Sequence, residues 1–210
     1  MKRVLVADDH PVVRQGVRRL LQEGPEPATV GEAQDADEAL RMVREQDWDL
    51  VLLDISMPGG GLDALKQIRQ ERPRLPVLVL SVHPEDQYAV RVLKAGASGY
   101  VTKDSPPDEL KRAIRKVSLG GKFVSTALAE KLAAGLEGRA VTGSEHESLS
   151  DREYQVLCMI ASGKTVSEIG RELELSVKTI STYRARILKK LALRNNTELA
   201  RYGIQHHLVE

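Results

Sequence analysis

A chain of 210 residues with ordinary apolar content has room for one large domain or two small ones, and enough hydrophobic material to bury a core. Its 31 basic residues are balanced by 30 acidic ones, which excludes a uniformly cationic nucleic-acid binder. No apolar run approaches the roughly 20 residues needed to span a bilayer, and the single cysteine, Cys158, excludes an internal disulfide and a cysteine-clustered metal site.

Met1-Lys2-Arg3 leads directly into Val4-Leu5-Val6-Ala7. That apolar stretch is too short for a signal-peptide core and two aspartates close it, so it is expected to be a core strand of a cytoplasmic protein. Residues 4–7, 50–53, 77–80 and 99–101 are short apolar runs without polar alternation, as strands buried on both faces of a parallel sheet require. A fifth, weaker strand is predicted at Thr29–Ala33. Between the strands run helical stripes: Val13, Val17, Leu20 and Leu21; then Ala39, Leu40 and Val43; then Leu65 and Ile68; then Val90 and Leu93; and last Leu110, Ala113, Ile114 and Val117. Five strand–helix pairs predict an α/β doubly wound five-stranded parallel sheet with helices on both faces.

The pattern changes after Gly120-Gly121. Residues 125–136 have helical character, and the polar, aperiodic residues 137–149 suit a linker. Ser150-Asp151-Arg152-Glu153 is a capping box that opens a helix reaching about residue 162, and Gly163 ends it. Cys158 falls in this apolar helical run, where a buried, inert thiol is expected. Helices are predicted over 166–173, from a cap at Ser176 to about 191, and over 197–206, giving a second, all-α domain.

Asp8-Asp9, Asp54, Ser81 and Lys103 each follow a predicted strand. In an open parallel sheet the crevice beyond the carboxyl ends of the strands is where ligands bind, so all of them are expected to converge. Each alone is unremarkable, since an aspartate often caps a helix or starts a turn and a lone lysine is usually solvated. Together they describe a pocket. Three carboxylates repel unless a cation neutralises them, and an all-oxygen ligand set suits Mg²⁺. A lysine and a hydroxyl beside them suit a phosphoryl group, and a carboxylate can itself be the nucleophile that accepts it.

Val4-Leu5-Val6-Ala7-Asp8-Asp9-His10, Asp54-Ile55-Ser56-Met57-Pro58-Gly59 and Gly99-Tyr100-Val101-Thr102-Lys103 resemble the receiver domain of bacterial response regulators, a flavodoxin-like fold, over about residues 1–122. The resemblance implies that Asp54 accepts phosphate from a sensor histidine kinase. It implies that Asp8, Asp9, Asp54 and the backbone of Ser56 hold Mg²⁺, that Lys103 pairs with the phosphate, and that Ser81 and Tyr100 are the switch residues. Tyr100 would then turn inward as Ser81 moves to the phosphate. Two features depart from the family pattern. Gly59-Gly60-Gly61-Leu62 is a shortened loop, through which the pocket is expected to survive, and Gly24-Pro25-Glu26-Pro27 is a stiff connection of no evident function.

The neutral total conceals a local imbalance. Residues 1–125 hold 19 basic and 19 acidic residues, whereas residues 175–197 hold no acid and six bases: Lys178, Arg184, Arg186, Lys189, Lys190 and Arg194. Two helices joined by a short turn at residues 174–176 form a helix-turn-helix, with Ile169 and Leu173 facing inward from the first and Val177, Ile180, Ile187, Leu188 and Leu191 from the second. Lys178, Thr179, Ser181, Thr182, Tyr183, Arg184, Ala185, Arg186 and Lys189 are the candidate DNA contacts: small and hydroxyl side chains for base edges and thymine methyls, cations for phosphates. A solvated basic face is the plain alternative, weakened by the lack of interspersed acids. Residues 147–208 resemble the LuxR-type domain of the NarL/FixJ family. That resemblance implies that Ser181, Thr182 and Ala185 face the bases and that the last helix supports a homodimer on double-stranded DNA. Thr182-Tyr183 stands where many members have Val-His, so base preference does not carry over.

The expected organisation is a receiver at 1–122, a partly helical linker at 123–146 and a LuxR-type domain at 147–210. The expected function is phosphorylation-controlled transcription, with no enzyme activity and no membrane partner. A carboxylate–Mg²⁺ phosphotransferase is the alternative from another class, disfavoured because Ser56 stands where a second acid/base would follow Asp54. A DNA-binding protein with a degenerate receiver is disfavoured by the intact acidic set. Whether the receiver masks the recognition helix or drives dimerisation stays open. His146, His206 and His207 are expected to be surface histidines.

Overall fold

A computed structural model describes residues 2–23, 27–82, 85–126, 128–130, 145–173, 175–206 and 208–209. Gly24-Pro25-Glu26 and most of the polar stretch expected to be a linker lie outside the described residues, as does His207.

Five short strands alternate with five helices: β1 (Arg3–Ala7), α1 (Pro11–Gln22), β2 (Thr29–Ala33), α2 (Ala36–Glu45), β3 (Leu50–Asp54), α3 (Gly61–Glu71), β4 (Val77–Ser81), α4 (Glu85–Lys94), β5 (Gly99–Thr102) and α5 (Pro107–Ser118). All neighbours pair in parallel, in the order β2-β1-β3-β4-β5. The strands are apolar throughout because both faces are covered. Val4, Val6, Leu50, Leu52, Leu78 and Leu80 pack with Val17 and Leu21 of α1 and Ala113 and Val117 of α5. The alternate residues Leu5, Val51, Leu53 and Val79 are buried on the opposite face. Because all five strands run parallel, every strand-to-helix turn lies at the same end of the sheet. The strands run slightly longer than the apolar runs suggest, so Asp54 and Ser81 are the last residues of β3 and β4 rather than the first beyond them.

The segment after α5 extends the sheet edge. Phe123 forms a parallel bridge with Gly99: the Phe123 N–H donates to Ser98 O at 2.9 Å and the Tyr100 N–H to Phe123 O at 3.2 Å. The Ser125 N–H donates to Glu85 Oε1 at 3.0 Å, and the Ser125 hydroxyl caps Leu128 N–H at 3.1 Å. Phe123, Ser125 and Leu128, of which the first falls at the start of the expected linker, are thus pinned within the first compact unit, Met1–Leu132. Of the expected 125–136 helix, residues 126 and 128–130 are helical and 131–136 lie outside the described residues.

The second unit, Ala133–Glu210, is helical in its described residues. A 3₁₀ turn (Glu145–Ser148) precedes α6 (Asp151–Ala161), α7 (Val166–Glu172), α8 (Val177–Lys190) and α9 (Asn196–Gln205). Both the Ser150/Glu153 and the Thr165/Glu168 capping boxes are formed, and Ser176 and Asn195 cap the last two helices. Leu149, Leu157, Ile169, Ile180, Ile187 and Leu199 build the core, so the end of the expected linker is core rather than connection. The α7–α8 turn needs Gly170, because a β-carbon there would lie 2.8 Å from Leu175 O. Cys158 is buried and takes part in no disulfide.

Val177 corrects the reading of the helix-turn-helix. Expected inside, it is 50 % exposed. It stands at the first turn of α8, where the apolar periodicity runs one turn further than the packing.

Candidate functional site

The acidic set converges at the carboxyl ends of β1, β3 and β5. Asp8 and Asp54 are each 1 % exposed. Lys103 Nζ lies 2.7 Å from Asp8 Oδ2 and 2.8 Å from Asp54 Oδ2, bridging two carboxylates that would otherwise repel. The Ser56 N–H donates to Asp54 Oδ1 at 2.8 Å, and the Lys103 N–H donates to Ser81 O at 2.7 Å, tying β5 to the end of β4. Asp9 is at the rim. His10, which the sequence reading did not single out, places Nδ1 2.7 Å from Asp9 Oδ1 and 3.2 Å from Asp8 Oδ1. Its only signal in the sequence is adjacency to the aspartate pair.

Burial pushes the Asp54 carboxyl above the ordinary aspartate range. Lys103 and the Ser56 N–H pull against that rise, and the nearby Asp8 charge adds to it. For Lys103, burial favours the neutral amine, but the charges and hydrogen bonds of Asp54 and Asp8 together outweigh it and hold the ammonium above the ordinary lysine value. The two shifts differ in origin: burial dominates the rise of Asp54, whereas the two neighbouring carboxylates raise Lys103 against its own burial.

Asp8, Asp9, His10 and Asp54 offer ligand atoms within 4.8 Å of one another. Asp8 Oδ2 and Asp9 Oδ1 are buried without an aligned hydrogen-bond donor. Carboxylate oxygens crowded around a crevice, sharing the Lys103 ammonium and the His10 ring as their near neighbours, fit a small, hard divalent cation. The shortened Gly59-Gly60-Gly61 loop leaves this grouping intact. Gly59 and Gly60 take left-handed φ angles of 85° and 87°, and the Ala36 N–H donates to Pro58 O at 3.0 Å, anchoring the loop on α2. Ser81 is buried, and so is Tyr100, at 1 % exposed. The ring expected to turn inward on phosphorylation is therefore already inside.

In the second unit Lys178, Ser181, Thr182, Ala185, Arg186 and Lys189 share the exposed face of α8. Lys178, Arg186 and Lys189 face no acidic partner among the described residues. Thr179, Tyr183 and Arg184 are half-buried and stand off that face. Arg184 Nε is bonded to Asn196 Oδ1, and the Thr179 hydroxyl lies 2.7 Å from the Ser176 hydroxyl within the helix cap. The other end of α8 is fixed by Lys190, whose Nζ meets Glu153 Oε2 at 2.6 Å and Ser148 O at 3.2 Å. His146, with Nδ1 3.1 Å from Tyr202 Oη, and His206, whose ring lies 4.1 Å from that of Tyr202, belong to an aromatic cluster rather than to a metal site among the described residues.

Residues 4–115 match the family described as the response regulator receiver domain, and residues 147–203 match the bacterial regulatory proteins of the luxR family. The response regulator UvrY of Escherichia coli K12 is 38 % identical over 209 residues, spanning 99 % of this chain and 96 % of that protein. The response regulator GacA of Pseudomonas aeruginosa is 39 % identical over 211 residues, spanning 100 % and 99 %. Among solved structures, RcsB of Salmonella enterica serovar Typhimurium, bound to promoter rprA in the presence of phosphomimetic BeF3−, is 31 % identical with a TM-score of 0.61, covering 96 % of this chain and 98 % of that one.

Proposed function

Because the chain belongs to the response regulators that join a receiver domain to a LuxR-type helix-turn-helix domain, we propose that phosphorylation of Asp54 by a sensor histidine kinase controls its binding to promoter DNA. The observation that carries this reading is the Lys103 bridge between Asp8 and Asp54 at the strand ends. A buried carboxylate is held in place there, with an ammonium ready to follow a new phosphoryl group.

In the transfer, an Asp54 carboxylate oxygen attacks the phosphorus of a kinase phosphohistidine. The new O–P bond forms as the P–N bond breaks, and the imidazole leaves with the electron pair and takes up a proton. The Ser56 N–H fixes the carboxylate's orientation. Lys103 exchanges part of its contact with Asp8 and Asp54 for the phosphoryl oxygens. Asp8, Asp9, Asp54 and the Ser56 backbone would hold Mg²⁺, which when bound offsets the negative charge on the transferring group. Phosphorylation adds roughly −1.5 to −2 charge, and Ser81, on the neighbouring strand, donates to it. The buried Tyr100 needs no inward rotation, so the switch runs through Ser81 and the β4–α4 end.

The exposed cations of α8 hold the DNA backbone, and Ser181, Thr182 and Ala185 face the bases. A homodimer paired through α9, where Ile204 is exposed, would address two half-sites. We place the protein in the cytoplasm as a transcription regulator rather than an enzyme, since Ser56 stands where a second acid/base would follow Asp54. No helix among the described residues is long and apolar enough to cross a membrane. The receiver unit takes in the segment from Phe123 to Ser125 that bridges its sheet edge, and the connection to the DNA-binding domain follows it.

Incubation with acetyl phosphate and Mg²⁺ should add one phosphoryl group by intact mass and tighten promoter binding. Asp54→Ala should show neither. A mass gain that persists in Asp54→Ala would overturn the assignment of the acceptor, and unchanged DNA binding after phosphorylation would overturn the switch.

A further inference from the structure

The polar side chains in the first half of α8 are largely committed within the domain. The Ser176 and Thr179 hydroxyls bond each other and cap the helix. Arg184 is drawn to Asn196 at the start of α9. The Thr182 hydroxyl donates to Lys178 O, one turn back, at 2.9 Å. This back-bond uses its only hydroxyl hydrogen and leaves the γ-methyl as the group that meets a surface laid against the helix.

Lys178, Thr182, Ala185 and Lys189 are spaced four, three and four residues apart, so they form one stripe along the helix. All four are exposed. Ala185 carries nothing but a methyl. The centre of the stripe is therefore two methyl groups, and its ends are two ammonium groups. Rise along the helix separates residues 182 and 185 by about 4.5 Å, comparable to the base-pair spacing of about 3.4 Å, so the two methyls can reach adjacent steps. The flanking cations, with no acid among residues 175–197, commit this face to a polyanion and not to an apolar protein surface. In a major groove, the only apolar feature that base pairs present is the thymine C5-methyl.

We propose that α8 selects its DNA sites by thymine methyl contacts, with Thr182 and Ala185 as the specificity-determining side chains and Lys178 and Lys189 as phosphate clamps on either side. This rests on the DNA-binding reading above. Hydrogen-bond donors supply orientation through Ser181, while discrimination between sequences comes from shape and methyl burial.

The test uses the full-length protein with beryllofluoride and Mg²⁺. Sites are selected from a random duplex pool made with thymidine, and the enriched duplex is resynthesised with deoxyuridine at each thymine in turn. That change removes only the methyl and keeps the O4 acceptor. The expected result is two adjacent positions at which deoxyuridine weakens binding about fourfold each, the worth of one buried methyl. At one of them Thr182→Ser, which keeps the hydroxyl and loses the methyl, should abolish the thymidine–deoxyuridine difference. Thr182→Val, which keeps the methyl and loses the hydroxyl, should preserve it. Unchanged thermal midpoints for both variants confirm that they are folded. Binding indifferent to deoxyuridine but weakened by Lys189→Ala would overturn methyl reading and leave DNA binding standing. If no duplex is enriched and Lys189→Ala changes nothing, both readings fall.

Discussion

A β-carbon placed on Gly61 would lie 2.1 Å from the carbonyl oxygen of Asp54 and 2.5 Å from the α-carbon of Ile55. The shortened loop thus brings the first residue of α3 onto the backbone that carries the phosphate acceptor, and backbone cannot yield as a flexible side chain does. Gly61→Ala should therefore destabilise the receiver by about 1–3 kcal/mol or more and slow phosphorylation by acetyl phosphate. Gly60 has a left-handed φ of 87° but meets nothing nearer than Asp63 Oδ2 at 3.5 Å. Gly60→Ala should cost only the conformational term of about 1–2 kcal/mol and leave the phosphorylation rate near wild type. Equal losses of phosphorylation in the two variants would show that the loop acts by overall stability and not by its approach to Asp54.

That approach was only half legible. The three glycines announce a permissive loop, but how close α3 comes to β3 depends on the packing of Leu62, Leu65 and Ile68, which periodicity does not measure. Local signals read well. Ser150/Glu153 and Ser176 were legible as caps because a cap is decided within four residues, and Thr165/Glu168 carries the same signature. The sheet followed from apolar runs that only a two-sided burial explains. Contacts between distant elements were not legible: the Phe123 bridge to Gly99, the Glu153–Lys190 pair and the Arg184–Asn196 bond have no local pattern. Val177 shows the opposite failure, a helical period that outlasts the surface it would pack against.

Lys103 balances more negative charge than one ammonium neutralises, which gives opposite signs for two substitutions. A carboxyl whose folded pKa exceeds its unfolded value destabilises the fold wherever it is ionised. Asp54 is raised by burial in this way, so at neutral pH in chelator Asp54→Asn should raise the thermal midpoint of the receiver. Lys103→Met leaves two buried carboxylates without their cation and should cost about 3–5 kcal/mol. Adding Mg²⁺ should stabilise wild type more than Asp54→Asn, as expected for a ligand that binds only the folded pocket. Calorimetry in both conditions checks the pair. A lower midpoint for Asp54→Asn in chelator would contradict the electrostatic account.

Gly99 has little room because Phe123 lies across it. A β-carbon there would fall 2.6 Å from Phe123 O and 2.9 Å from Leu78 Cδ1. Gly99→Ala must therefore displace the segment after α5, breaking the Tyr100 N–H···O bond to Phe123. Hydrogen exchange at Tyr100 and Phe123 should accelerate strongly, while Leu52 and Leu53 in the sheet centre keep most of their protection. Uniform loss across the sheet would instead mean that the strap is needed for the whole receiver to fold.

Glu153 joins the start of α6 to the end of α8, and its charge makes that junction acid-labile. Burial raises its pKa, but the Lys190 ammonium and the Ser150 N–H and hydroxyl together outweigh this and hold the carboxyl below the ordinary glutamate range. The folded pKa is therefore the lower one. The stabilisation is complete above the unfolded value of about 4.3 and is lost as pH falls through the depressed folded value. Glu153→Gln keeps part of the cap but gives up the ion pair. It should cost about 1–2 kcal/mol at neutral pH, measured by hydrogen exchange in α6 and α8. Its disadvantage against wild type should shrink as the pH drops below about 4, because wild type then protonates the same group. A gap that stays constant with pH would show that packing of the side chain, and not its charge, holds the two helices together.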